Sequence, residues 1–204
     1  MLGFVTKMFS FTAYKKLTVL GTFIGVLIFY GAAAAAPQGD WRTLETKYMV
    51  VYYQNPDDLR LLGSRVKYDA GGWTLFNRSI SWGSSGDISK KVDSLFDRVQ
   101  ILLDMKKRTP KIVLYLFPDD VQFRVAYENA LNERPSGGVS ARYIPQDKAV
   151  YAVPSEIDEA SLAREMAHAV ANHYLIIKPS RKATDILAKY VGKHLMDPNA
   201  PQTY

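Results

Sequence analysis

The sequence predicts an α+β fold, a small mixed sheet packed against helices, and three observations carry that expectation. Strand-like and helix-like segments alternate from Trp41 to the C-terminus. One of them, KIVLYLF (111–117), is a nearly continuous apolar run, the pattern of a strand covered on both faces. Longer stretches repeat apolar residues at three- and four-residue steps, the period of a helix that buries one face.

The chain opens with an address segment. Lys15-Lys16 is followed by LTVLGTFIGVLIFYG and five alanines, the order of the charged, apolar and small-residue regions of a secretory signal. Residues 1–36 are therefore expected to be a signal peptide, cut after Ala34 or Ala35 at an Ala-x-Ala triplet. The alternative is an N-terminal membrane anchor, because Leu17 to Ala36 is about 20 apolar residues, enough to span a bilayer. In either case the lysines favour the inner side, and residues 37–204 are expected to be exported, periplasmic or secreted, as a single domain.

Within the exported part, KYMVVYY (47–53) is β-branched and aromatic and stops at Asn55-Pro56, so it reads as a strand. Pro56-Asp57-Asp58 opens a short helix through Leu59, Leu62 and Val66, with Asn55 as N-cap and proline in the first turn. The glycine-rich stretch from Gly71 to Gly86 holds Trp73, Phe76 and Trp82 and reads as a loop or bent hairpin. Asp87 is expected to cap a longer helix whose apolar positions run from Ile88 to Leu103 and which ends by Thr109-Pro110. After the 111–117 strand, Pro118-Asp119-Asp120 starts a helix to about Leu131. VSARYI (139–144) and KAVYAV (148–153), separated by Pro145-Gln146-Asp147, predict a hairpin. From Asp158 a helical pattern covers SLAREMAHAVANHYLII (161–177), Lys178-Pro179-Ser180 breaks it, and ATDILAKYVGKHL (183–195) predicts a final helix.

Composition excludes several chemistries. The chain has 204 residues, 48% of them hydrophobic and 23% charged, which supports a folded core. It has no cysteine, and so no disulfide framework, thiolate metal site or cysteine nucleophile. The net charge of +6 is partly local: residues 1–35 carry Lys7, Lys15 and Lys16 and no acid, leaving 23 basic against 20 acidic residues. Those remaining charges are interspersed, so no nucleic-acid partner is expected. Gly71-Gly72 and Gly137-Gly138 lack phosphate-loop spacing, and Ser84-Ser85-Gly86 lacks a nucleophile-elbow pattern.

The chemistry-bearing segment is Arg164-Glu165-Met166-Ala167-His168, in which Glu165 and His168, three apart on a helix, share one face. With Asp185-Ile186-Leu187-Ala188-Lys189-Tyr190 on the next helix, and with the order of elements, the chain resembles the gluzincin (peptidase MA-like) metallopeptidases. Their motif helix carries His-Glu-x-x-His, two histidines binding zinc and the glutamate polarising the bound water, with a third ligand, Glu, on the following helix. The resemblance implies a zincin-like fold in which Glu165 holds the place of the catalytic base and His168 and Asp185 those of metal ligands.

The pattern departs from the family at the ligands. Arg164 stands where the first histidine belongs, and a guanidinium offers zinc no lone pair. Asp185 is one methylene shorter than the family's glutamate. His173, five residues past His168, is turned some 140° away, and His194 is half a turn out of phase with Asp185, so neither replaces the lost ligand. The sequence thus predicts a degenerate HExxH site of Arg164, Glu165, His168 and Asp185 in an exported pseudoenzyme. It is expected to need no cofactor, to bind or scaffold a protein or peptide ligand, and to meet a membrane only through residues 17–36 if they stay uncleaved. The alternative is a secreted zinc metallopeptidase with Glu165 as base and His168 and Asp185 on the metal. Arg164 is further expected to replace the metal by pairing with Asp185 or another acid of the same cleft.

Overall fold

The computed structural model describes residues 37, 39–68, 85–106, 110–135 and 137–201. Residues 1–36, where a signal or anchor segment is expected, and the glycine-rich stretch as far as residue 84, with its three aromatic residues, lie outside them. Ten elements follow one another: β1 (Arg42–Glu45), β2 (Met49–Tyr53), α1 (Pro56–Arg65), α2 (Ser85–Leu103), β3 (Ile112–Leu116), α3 (Asp120–Leu131), β4 (Ala141–Ile144), β5 (Ala149–Ala152), α4 (Glu159–Tyr174) and α5 (Arg181–His194). The α+β expectation holds: five strands form one mixed sheet in the order β1-β2-β3-β5-β4. The central strands β2, β3 and β5 run parallel, and the two edges, β1 and β4, are antiparallel to their neighbours.

Strand alternation sorts the core into two layers. Ile112, Leu114 and Leu116 of β3, with Val150 and Ala152 of β5, pack into the larger cluster with α1, α2, α4 and α5. Tyr115 and Phe117, with Ala149, Tyr151 and Val153, pack on the other face with Phe123 and Tyr127 of α3. Covered on both faces, β3 is the centre of the sheet that its unbroken apolar run predicts.

Local signals explain most boundaries. Asn55 caps α1 with a reciprocal box, its side chain accepting from the Asp57 amide at 3.1 Å while Asp58 accepts from the Asn55 amide at 3.0 Å. Asp119, Asp158 and Ser180 cap α3, α4 and α5 in the same general way. Three expectations need correction. Strand β1 is additional: only Leu44 among its four residues is apolar, so it has no strand periodicity and forms because β2 offers a free edge, where an ion pair from Lys111 to Glu45 at 2.5 Å helps to hold it. Helix α2 begins at Ser85, which places Asp87 inside the first turn instead of at the cap. Helix α4 stops at Tyr174, three residues short of Ile177, because Leu175 is already extended (ψ 123°) ahead of Pro179.

One buried cation ties the last helix to the core. Arg98 of α2 is 2% exposed and donates to the carbonyls of Leu195 (3.1 Å), His194 (3.2 Å), Asp197 (3.3 Å) and Pro201. These acceptors close the C-terminal end of α5, where orphan carbonyls and the helix dipole favour positive charge. Among the described residues, no helix is long and apolar enough to cross a membrane.

Candidate functional site

Helix α4 lies between the sheet and α5, burying Leu162, Met166 and Val170 in the larger core cluster. Glu165 and His168, one turn apart, are thereby turned toward edge strand β4 and helix α5. A cleft of about 340 Å³ opens there, lined by Arg142 and Tyr143 of β4, Glu165 and His168 of α4, and Lys178, Arg181 and Asp185 of the α4–α5 connection and α5. Three of the four expected site residues, Glu165, His168 and Asp185, meet at this cleft.

Glu165 is 8% exposed, and its Oε2 accepts the Tyr143 backbone N–H at 2.7 Å. The pairing register explains why that amide is free. Val153 donates to Ser140, so alternate β4 residues face β5 while Tyr143, paired with Val150, turns its N–H to the open edge. Glu165 closes the edge. Burial pushes its carboxyl above the usual range, opposed by the Tyr143 amide and by the positive charges of Arg142 and Arg164.

His168 Nε2 stands 3.6 Å from Asp185 Oδ1. Burial pushes the imidazole below its usual value; Asp185 acts the other way, and Arg142 and Arg181 reinforce the depression. His168 is consequently neutral at pH 7, so this is no charged ion pair there. Buried Tyr143 has its phenol raised to about 12 by desolvation and is not an acid at physiological pH.

Arg164 does not join the other three. It is exposed, its Nη2 donates to Ser161 Oγ at 2.7 Å, and it pairs with no acid among the described residues. Its stem does reach α5: a Cβ added at Gly192 would lie 3.0 Å from Arg164 Cγ. Gly192 is seven residues beyond Asp185, about 10 Å along the helix. The expected pairing of Arg164 with Asp185 is thus replaced by apolar stem packing with a solvated head, the ordinary arrangement for a long cation. Burying that head beside Arg142 and Arg181 would set three like charges together.

Sequence reasoning missed Arg142, Lys178 and Arg181, the cations that surround the cleft. Arg142 is the sole charge in the VSARYI strand, and that interruption of an apolar run was the available signal; its Nε is buried with no hydrogen-bond partner. The other histidines lie elsewhere. His194 Nδ1 is 2.9 Å from Asp197 Oδ2, the His194 ring lies tilted against Tyr190 with centroids 4.6 Å apart, and burial and Lys148 depress His173.

A zinc ion would find His168 and Asp185 here as donors. Catalytic zinc takes three protein ligands, and among the described residues no three histidines and acids are placed so as to hold a metal ion together. Glu165 is held by the strand amide, and Arg142 and Arg181 both disfavour added positive charge at His168. His168 and Asp185 by themselves are one short of the three protein ligands of a catalytic zinc. Set against known proteins, the chain matches no family model, no curated protein and no solved structure.

Proposed function

We propose that this is an exported, peptidase-like protein of zincin-like build whose zinc site has degenerated, and that its cleft binds a peptide or protein ligand without cleaving it. The observation that carries the reading is the 2.7 Å hydrogen bond from the Tyr143 amide to Glu165. A general base needs a carboxylate directed at a reacting water. Here Oε2 of that carboxylate fixes the edge strand to α4, a structural role for a nearly buried side chain that restricts how the group can turn toward a water in the cleft.

The cleft's chemistry indicates the ligand. Arg142, Arg181 and Lys178 present donors suited to a carboxylate, and arginine binds one through two parallel bonds. Because Glu165 occupies the outward Tyr143 amide, the ligand does not add as a further strand at this position; it is held by side chains. Calorimetry with short peptides, each prepared with a free and an amidated C-terminus, tests this. Arg142→Ala and Arg181→Ala should each weaken binding of the carboxylate form by about tenfold or more, the worth of a charge-assisted hydrogen bond. Equal binding of both forms, or unchanged affinity in both variants, refutes it.

The 3.6 Å approach of His168 to Asp185 favours a second reading, the secreted zinc metallopeptidase. One tightly held zinc per chain, with chelator-sensitive peptide hydrolysis abolished by Glu165→Gln, would establish that reading in place of the first.

A further inference from the structure

Beyond the cleft, the α4–α5 connection carries the most exposed apolar residues of the fold. Ile176 is 96% and Ile177 87% exposed, adjacent in sequence and outside both helices. Leaving one such side chain in water is ordinary, but two at the tip of a connection followed by Lys178, Arg181 and Lys182 form a pattern. Helix α5 continues it. At 100° per residue, Lys182, Ile186, Lys189, Tyr190 and Lys193 fall within an arc of about 100°, while the buried Thr184, Ala188 and Val191 lie opposite. Ile186 is 61% exposed and Tyr190 39%. From Met166 to Met196 the chain has five lysines and arginines and one acid, Asp185, which faces His168. None of Lys182, Lys189 and Lys193 is neutralised by an ion pair among the described residues.

We infer that the Ile176-Ile177 tip and the outer face of α5 dock on the surface of an anionic lipid bilayer. The two isoleucines, Ile186 and Tyr190 enter the interfacial layer, and Lys182, Lys189 and Lys193 pair with lipid phosphates. Basic and apolar side chains share this one exposed face with an aromatic residue that has a polar tip, so apolar burial and attraction to anionic lipid would act together at the interface, and the apolar length is too short to span. Charge complementarity selects the lipid, because a lysine beside an anionic leaflet shifts binding by roughly fivefold and three shift it by roughly 100-fold. A protein partner would be expected to supply acids one for one, and nothing on this face dictates such spacing. Docking here would hold the cleft, of which Lys178 and Arg181 are part, beside the bilayer.

The absence of cysteine makes the test site-specific. Ile177→Cys and, on α3 across the sheet, Asn129→Cys would each carry one environment-sensitive fluorophore on the full chain, mixed with vesicles of phosphatidylcholine alone or in equimolar mixture with phosphatidylglycerol. The comparison is between two positions of one protein, so attachment through residues 17–36 does not decide it. The expected result is quenching by spin-labelled lipid at position 177 and not at 129, in anionic vesicles, abolished when Lys182, Lys189 and Lys193 are all changed to Glu with the melting temperature preserved. Equal quenching at both positions, quenching at 177 indifferent to phosphatidylglycerol and to the three substitutions, or a blue shift at 177 without lipid accompanied by dimerisation would each overturn the proposal, the last by making this face a contact between copies.

Discussion

If Glu165 is a tether, its two informative substitutions should part ways. Glu165→Ala removes the acceptor from the Tyr143 amide and leaves a donor unpaired beside a nearly buried side chain. A hydrogen bond to a charged group contributes about 1.5–3 kcal/mol and the one buried methylene that alanine lacks about 0.8 kcal/mol more. Relief of the carboxylate's desolvation offsets part of this, for a net loss of about 2 kcal/mol. For a domain of this size that lowers Tm by about 4–8 °C. Glu165→Gln keeps an oxygen where the amide needs one and carries no charge, so it should stay within about 1 kcal/mol of wild type. The two proteins should also differ in pH dependence. The folded-state pKa of Glu165 is raised, so above about 4.5 the folded chain holds a proton that the unfolded chain has lost. Wild type therefore loses stability as pH rises from 4.5 through the folded value, and the glutamine variant lacks this term. Its stability relative to wild type should climb across that window in thermal melts. An alanine variant as stable as wild type, or a glutamine variant as damaged as the alanine one, would refute the tether.

Arg98→Met should cost about 3 kcal/mol, some 6–12 °C in Tm, and speed amide exchange over residues 195–201, because four carbonyls lose one donor group. Proton NMR should find His168 titrating below 6.5, and Asp185→Asn should lower it further by removing the charge that favours the imidazolium. Since this folded-state pKa is depressed, wild type should lose stability relative to His168→Gln as pH falls below 6.5 toward the folded value. Arg164→Ala and Asp185→Ala should show additive losses in a double-mutant cycle, since Arg164 is engaged by Ser161 and by the backbone at Gly192; a coupling above about 0.5 kcal/mol would contradict that geometry.

Elements with strong periodicity were legible. The unbroken run in β3, the spacing from Ile88 to Leu103 in α2 and the side-chain caps at Asn55 and Asp158 each state their structure locally. Strand β1 was not legible, because an edge strand with three polar residues has no apolar alternation of its own and takes its extended conformation from pairing Arg42–Glu45 with Tyr53–Val50 of β2. The end of α4 was misplaced because Leu175, Ile176 and Ile177 extend the apolar pattern, and only the extended backbone ahead of Pro179 shows that the helix has stopped. At the site, helical spacing brought out Glu165 and His168, and the family resemblance added Asp185. Arg142 enters from β4, 22 residues before Arg164 would suggest any cation, and no helix period reports on a strand packed across the cleft.

The same contrast bears on how a peptidase-like site would come to bind instead of cut. On the proposed reading, Arg164 in the place of the family's first histidine leaves His168, Asp185 and Glu165 one donor short. Two other features oppose metal binding there. Arg142 and Arg181 hold His168 against positive charge from β4 and α5, and Glu165 closes the sheet edge that would otherwise present an unpaired amide. Histidine at position 164 would therefore add an imidazole without removing the cations or the hydrogen bond that holds Glu165. Arg164→His should leave the chain without tight zinc, whereas Arg164→His combined with Arg142→Ala and Arg181→Ala should gain measurable affinity, because the like charges that disfavour a dication would be gone. Zinc bound tightly by the single variant would show that Arg142 and Arg181 do not keep a dication out of the cleft.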